Sequence, residues 1–251
     1  MNEEHEIAAD EAADDWEFYP CQIDDAPASI LINLRFMYED PRDDNDHVHH
    51  ALLPMRELGP QSIGTQGEME RLSPIEDAIF DRAEQAGAQP VGRVRSQGMW
   101  RLSVYGPKAL PWAAWIEQLA GVDAAVQVDP DPEFNYVNEF LLPDPERHQW
   151  ILDRRVCDRL RRQGDEPSLV RPVNHFIDYE GDAPPALLEA LKGLGFTVND
   201  LGGSLECTKL HDTQLDSVHD LVMTLVILAE QHDAAYDGWG AAATKASDVT
   251  N

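Results

Sequence analysis

The chain has 251 residues, 43% of them apolar, enough for one large or two ordinary cores. Its 47 acidic residues against 19 basic ones give a formal net charge of −28, and a surface of that sign repels nucleic acid and anionic membrane while attracting basic partners. Simple solubility or adaptation to salt would leave the same imbalance, so charge alone does not choose between those and a partner-directed role.

Residues 1–15 hold seven acidic groups and no Lys or Arg, the pattern of an acidic disordered tail. They lack the basic and apolar blocks of a signal peptide. The longest apolar stretch, Leu221 to Ala229, is too short for a bilayer. Cys21, Cys157 and Cys207 show no paired spacing and suit reduced thiols, so a cytoplasmic protein is expected.

Order is expected from Trp16, with a turn at Asp24-Asp25-Ala26-Pro27 and an aliphatic strand over Ala28 to Arg35. Tyr38 to Ser73 reads as a long polar segment with a short helix across Ala51 to Leu58. Ser73-Pro74-Ile75-Glu76 combines a capping hydroxyl, a proline at the first helical position and an acid in the first turn, so a helix is expected from there to Gly87. Pro90 to Arg95 and Met99 to Tyr105 form a hairpin pattern, Pro111 opens a helix burying Trp112, Trp115, Ile116 and Leu119, and Asp123 to Asp129 closes a β-α-β-β-α-β series begun at Ala28.

The second half repeats this order. Asp144 to Gln163 reads as a helix carrying Leu152, Val156 and Leu160, Leu169 to Tyr179 as a strand, and Pro184 to Leu194 as a helix with Leu187, Leu188, Leu191 and Leu194. Strands at Phe196 to Asn199 and Ser204 to Lys209 flank Gly202-Gly203. The strongest helix runs from Gln214 to His232 with Leu215, Val218, Val222, Leu225 and Ala229 on one stripe, before a last strand at Ala235 to Trp239. The expected fold is α+β, two tandem ferredoxin-like (β-α-β-β-α-β) α/β sandwich domains over residues 16–142 and 143–240, with a flexible tail at 241–251.

The ending Tyr236-Asp237-Gly238-Trp239-Gly240 directly after that long helix, with Gly164-Asp165, Asn174-His175-Phe176 and Gly195-Phe196-Thr197-Val198 before it, resembles the regulator of ribonuclease E activity, B-type, over about Pro145 to Gly240. The first half, through Trp16 to Tyr19 and Pro27 to Ile30, is similar to an uncharacterised domain often fused ahead of it. The resemblance implies a non-catalytic protein, without cofactor, that binds a ribonuclease E-type endoribonuclease, or another basic protein, and inhibits it. It implies neither direct nucleic-acid nor membrane binding. That family's single-domain prototypes carry an acidic C-terminal tail, whereas here Ala241 to Asn251 has one Lys and one Asp.

An acidic surface competes for Arg-rich RNA-binding segments by presenting a phosphate-like field. Asp212, Asp216, Asp220, Glu230 and Asp233 lie along the last helix, Asp237 follows, and Tyr236 and Trp239 are either aromatic anchors or the packing of an edge strand beside glycines. Six arginines (Arg147, Arg154, Arg155, Arg159, Arg161, Arg162) crowd one helix, as a basic patch or as partners for the protein's own carboxylates.

For catalysis the strongest cluster is Asp43-Asp44-Asn45-Asp46-His47-Val48-His49-His50, where His47, His49 and His50 offer imidazoles for a metal-dependent hydrolase or simply occupy a solvated loop. Asp129-Pro130-Asp131-Pro132-Glu133 offers carboxylates for Mg²⁺ or marks a strand exit. His175 and Asp178 fall on opposite faces of their strand. No phosphate loop, nucleophile elbow or dinucleotide fingerprint occurs.

Overall fold

The structure is a computed structural model that describes residues 13–120 and 123–245. It divides into two compact units between Pro143 and Asp144, each a mixed α/β arrangement with its own sheet.

Unit 1 opens with a hairpin, β1 (Trp16–Ile23) and β2 (Ala26–Asn33), turning on Asp24 and Asp25 at φ 50° and 61°. Positive φ at both central residues matches the right-handed twist of the flanking strands. The chain then runs through β3 (His47–Pro54), α1 (Gln66–Gln85), β4 (Gln89–Ser96), β5 (Met99–Gly106), α2 (Trp112–Ala120) and β6 (Ala125–Pro130). The six strands lie in the order β1-β2-β4-β5-β3-β6, and neighbouring strands pair antiparallel throughout.

β3 overturns the expected polar loop and short helix at Ala51 to Leu58. It pairs with β5 on one side and β6 on the other. Its middle is buried on both faces, so it lacks the polar–apolar alternation by which a half-exposed strand is recognised. The β-α-β-β-α-β series therefore runs from β3 to β6, not from Ala28, and the β1–β2 hairpin widens the sheet to six strands where four were expected. Gly92 permits the close approach of β4 to β2, since a Cβ there would lie 2.5 Å from the Leu31 carbonyl oxygen.

α1 also begins earlier than expected. Thr65 caps it, its hydroxyl accepting from the Glu68 amide, and Ser73-Pro74 falls inside the helix. Pro74 removes one ladder hydrogen bond, but Leu72, Ile79 and Ala83 pack into the core with Trp100, Leu102, Trp112 and Ile116 and hold the helix in place. Gly87 ends it at φ 82°. A helical turn at Tyr136–Leu141 buries Val137 and Leu141, and the Tyr19 hydroxyl donates to the Leu141 carbonyl at 2.8 Å.

Unit 2 comprises α3 (Pro145–Arg162), β7 (Arg171–Tyr179), α4 (Pro185–Gly193), β8 (Thr197–Asp200), β9 (Ser204–His211), α5 (Leu215–Glu230) and β10 (Ala234–Ala241). Its antiparallel strands are ordered β10-β7-β9-β8. α5 buries Val218, Val222, Leu225 and Ala229. α3 is rotated from the expected stripe. It buries Ile151, Asp153, Cys157 and Leu160, while Leu152 is exposed, as is Leu194 just past α4.

Both expected tails shorten. Asp14 pairs with Arg35 at 2.9 Å and the Asp15 carbonyl accepts from the Leu34 amide; the rest of the acidic tail, residues 1–12, lies outside the described residues. Ala241 closes β10, and the Thr244 amide donates to Asp165 Oδ1 at 2.7 Å, so 241–244 belong to the folded unit. Residues 246–251 again lie outside the described ones. Among the described residues no helix is long and apolar enough to cross a membrane.

Candidate functional site

Two buried polar clusters join the elements of unit 2. Asp153 is fully buried on the inner face of α3. Its Oδ1 accepts from Trp239 Nε1 at 2.9 Å and from Gln149 Nε2 at 3.0 Å, and Oδ2 lies 2.8 Å from Nδ1 of His219 on α5. Burial raises the Asp153 pKa, against the pull of these donors.

The second cluster is a chain. Tyr236 Oη lies 2.9 Å from His175 Nδ1, His175 Nε2 lies 3.1 Å from His211 Nε2, and His211 Nδ1 lies 2.6 Å from the Asp212 carbonyl oxygen. A carbonyl only accepts, so His211 Nδ1 carries the proton and its Nε2 must accept. His175 therefore donates from Nε2 and accepts the Tyr236 hydroxyl at Nδ1. Both imidazoles are neutral in this arrangement, and burial pushes the His175 pKa down to about 3.

Tyr236 and Trp239 thus point inward. Trp239 is 7% exposed and Tyr236 is half-buried; of the two readings of these aromatics, anchor or edge-strand packing, this burial accords with packing, and both fasten β10 to the rest of the unit. The six carboxylates are placed differently. Asp216, Asp220, Glu230, Asp233 and Asp237 are exposed, and half-buried Asp212 accepts the Gln214 amide at the start of α5. A rise of about 1.5 Å per residue puts Asp216 and Asp220 about 21 and 15 Å from Glu230 along α5, and Asp233 lies beyond the helix end. These acids therefore form two groups, with exposed Ile227 between them.

Three arginines of α3 pair with carboxylates of the helix and its cap. Arg147 pairs with Asp144 at 3.2 Å, and Arg154 and Arg161 with Asp158 at 3.5 and 2.7 Å. Exposed pairs of this kind are worth little individually.

In unit 1 the His47–His50 segment is a core strand rather than a solvated loop. His47 and His49 share a face, but His47 bonds Asp46 at 2.7 Å while His49 is fully buried against Trp112. His50 turns to the opposite face, 2.9 Å from the Ser103 hydroxyl. The three imidazoles do not converge, and among the described residues no three His, Cys, Asp or Glu side chains come together as a metal site. Asp131 accepts the amides of Asn135 and Tyr136, both at 2.9 Å, and the Tyr105 hydroxyl, holding the chain where it leaves β6. His175 is buried and Asp178 exposed, on opposite faces of β7.

Burial lowers the pKa of His50 to about 4 and that of His175 to about 3, from an ordinary 6.5. Such groups bind fewer protons in the folded state, so their contribution to stability is complete above pH 6.5 and is lost as pH falls toward those values. Acid unfolding should begin below pH 6.5, and His50→Gln and His175→Gln should each flatten the loss by on the order of 1–3 kcal/mol between pH 6.5 and 4. Urea melts at a series of pH values test this; slopes unchanged by both substitutions would refute it.

Two family models match the chain. Residues 14–142 match a family of unknown function, DUF695, and residues 150–241 match the regulator of ribonuclease activity B. No curated protein matches it.

Proposed function

We propose, for a chain that belongs to the DUF695 family and carries a regulator of ribonuclease activity B unit behind it, that the protein is a non-catalytic regulator binding and inhibiting an endoribonuclease of the ribonuclease E type. The family match of unit 2 carries this reading. The strand orders β10-β7-β9-β8 and β6-β3-β5-β4, each threaded β-α-β-β-α-β, support treating both units as ferredoxin-like domains, with unit 1 extended by its hairpin. The exposed carboxylates of α5 and β10 are the contact surface in this reading, and the chain's excess of acid favours a basic segment of the enzyme as their target in the cytoplasm.

The test is an RNA-cleavage assay with purified ribonuclease E and the full chain at low and moderate salt. Inhibition that weakens as salt rises is expected, because the attraction is screened. D216N/D220N should weaken inhibition by about tenfold, a loss of about 1.4 kcal/mol, while leaving the fold intact. Undiminished cleavage at low salt with the chain in large excess would overturn the reading.

A further inference from the structure

Unit 1 contains a cationic centre that its own carboxylates do not balance. Arg93 and Arg95 are two residues apart on β4, and both guanidinium groups lie over the Trp100 ring, at 4.6 and 5.4 Å from its centroid. One carboxylate serves the pair: Glu76 on α1, whose oxygens lie 3.1 and 3.2 Å from Arg93 Nη1 and which also accepts from Trp100 Nε1 at 2.7 Å. Among the described residues Arg95 has only the Ser29 hydroxyl as a hydrogen-bond partner, 3.2 Å from Nη2. Its Nε is wholly buried without a hydrogen bond, and the residue is 8% exposed.

A buried guanidinium without a counter-charge is expensive, because its lost hydration is not replaced. The strain registers on Arg95 itself, where burial and then the neighbouring Arg93 push its pKa down to about 10. The absence is pointed in a chain of 47 acidic residues, since exposed acids are abundant but none among the described residues reaches this fork. Arg95 keeps 8% of its surface exposed to solvent.

We infer that Arg95, with the Ser29 hydroxyl beside it and Trp100 beneath it, is a binding site for the carboxylate of a small monoanionic ligand. A guanidinium presents parallel N–H donors that match a carboxylate bidentately, and the adjacent Arg93 already holds one carboxylate, both oxygens of Glu76 resting on its Nη1. A ligand carboxylate supplies the second. The chain's net negative field disfavours a dianion at the same place, which selects a carboxylate over a phosphate. Arg93 and Glu76 act as positioning residues: they fix the plane of Trp100 on which Arg95 rests.

The test follows the side-chain ¹H–¹⁵Nε resonance of Arg95 in the full chain, assigned by its disappearance in R95M, during titration with acetate or propionate against chloride at matched ionic strength. A saturable shift with the monocarboxylates, absent with chloride, is expected. Arg95→Lys keeps the charge but loses the fork, and should weaken the acetate-induced rise in melting temperature by about tenfold in apparent affinity. Arg95→Met should abolish that rise while the ligand-free protein stays folded by circular dichroism. Inorganic phosphate binding as tightly as acetate would overturn the choice of a monocarboxylate. No saturable shift with any of these anions, or an R95M chain that does not fold, would overturn the site and make Arg95 a purely structural cation.

Discussion

Asp153→Ala should destabilise unit 2 by about 3–5 kcal/mol, the range for removing one partner from a buried, charge-assisted network. The substitution strips the acceptor from Trp239 Nε1 and the carboxylate from His219 Nδ1, at a position that is itself fully buried, and frees Gln149. α3, α5 and β10 all meet at this one side chain. Asp153→Asn should cost less, about 1–3 kcal/mol, because an amide oxygen still accepts the indole N–H and burial already opposes the carboxylate's charge. Urea denaturation followed by far-ultraviolet circular dichroism and tryptophan fluorescence tests the pair. Equal, small losses in both variants would mean that the network contributes nothing beyond packing.

Glu76→Leu should destabilise unit 1 by a similar amount, about 3–5 kcal/mol. Leucine fills much of the space but leaves Arg93 as a second guanidinium without a carboxylate over Trp100, and leaves the indole N–H unbonded. Burial raises the pKa of Glu76, so at neutral pH the side chain is worth less than its three contacts suggest in isolation. Glu76→Gln retains an acceptor for the indole and should lose about 1–3 kcal/mol. The double variant E76L/R93L, which removes both charges, should recover part of the loss of the single one. A double variant less stable than the sum of the singles would show that charge pairing is not the source.

Helix existence was legible in the sequence wherever an uninterrupted apolar stripe met a glycine or proline boundary, as in α5, α4 and the end of α1. The start of α1 was misplaced because Ser73-Pro74 imitates a first turn, while the true cap, Thr65, stands before Gln66-Gly67, a weak helix opening. β3 was invisible for a different reason. Strand patterns are recognised from alternation, and a strand covered on both faces does not alternate; three histidines made it look polar as well.

The candidate site was legible only in part. Tyr236-Asp237-Gly238-Trp239-Gly240 identified the right segment, but whether the aromatics face inward or outward depends on where α3 crosses the sheet, which no local pattern encodes. One signal was available and unused. Asp153 stands four residues before Cys157, on the inner stripe of an otherwise amphipathic helix, and a carboxylate on that stripe requires donors from elsewhere in the fold. The pairing of Arg93 with Glu76 gave no such sign, because it joins a strand to a helix 17 residues away.

The position of β10 has a consequence for how unit 2 comes into being. β10 pairs with β7, so Gly240 meets Asn174 and Trp239 meets His175, across more than 60 residues of intervening chain. Such distant contacts form late, after the entropy of closing the loop has been met. On the ribosome, α3 would emerge with Asp153 still lacking its indole donor, and would wait through the synthesis of two helices and three strands before Trp239 arrives. Unit 1, whose sheet is complete by Pro130, can fold in that interval.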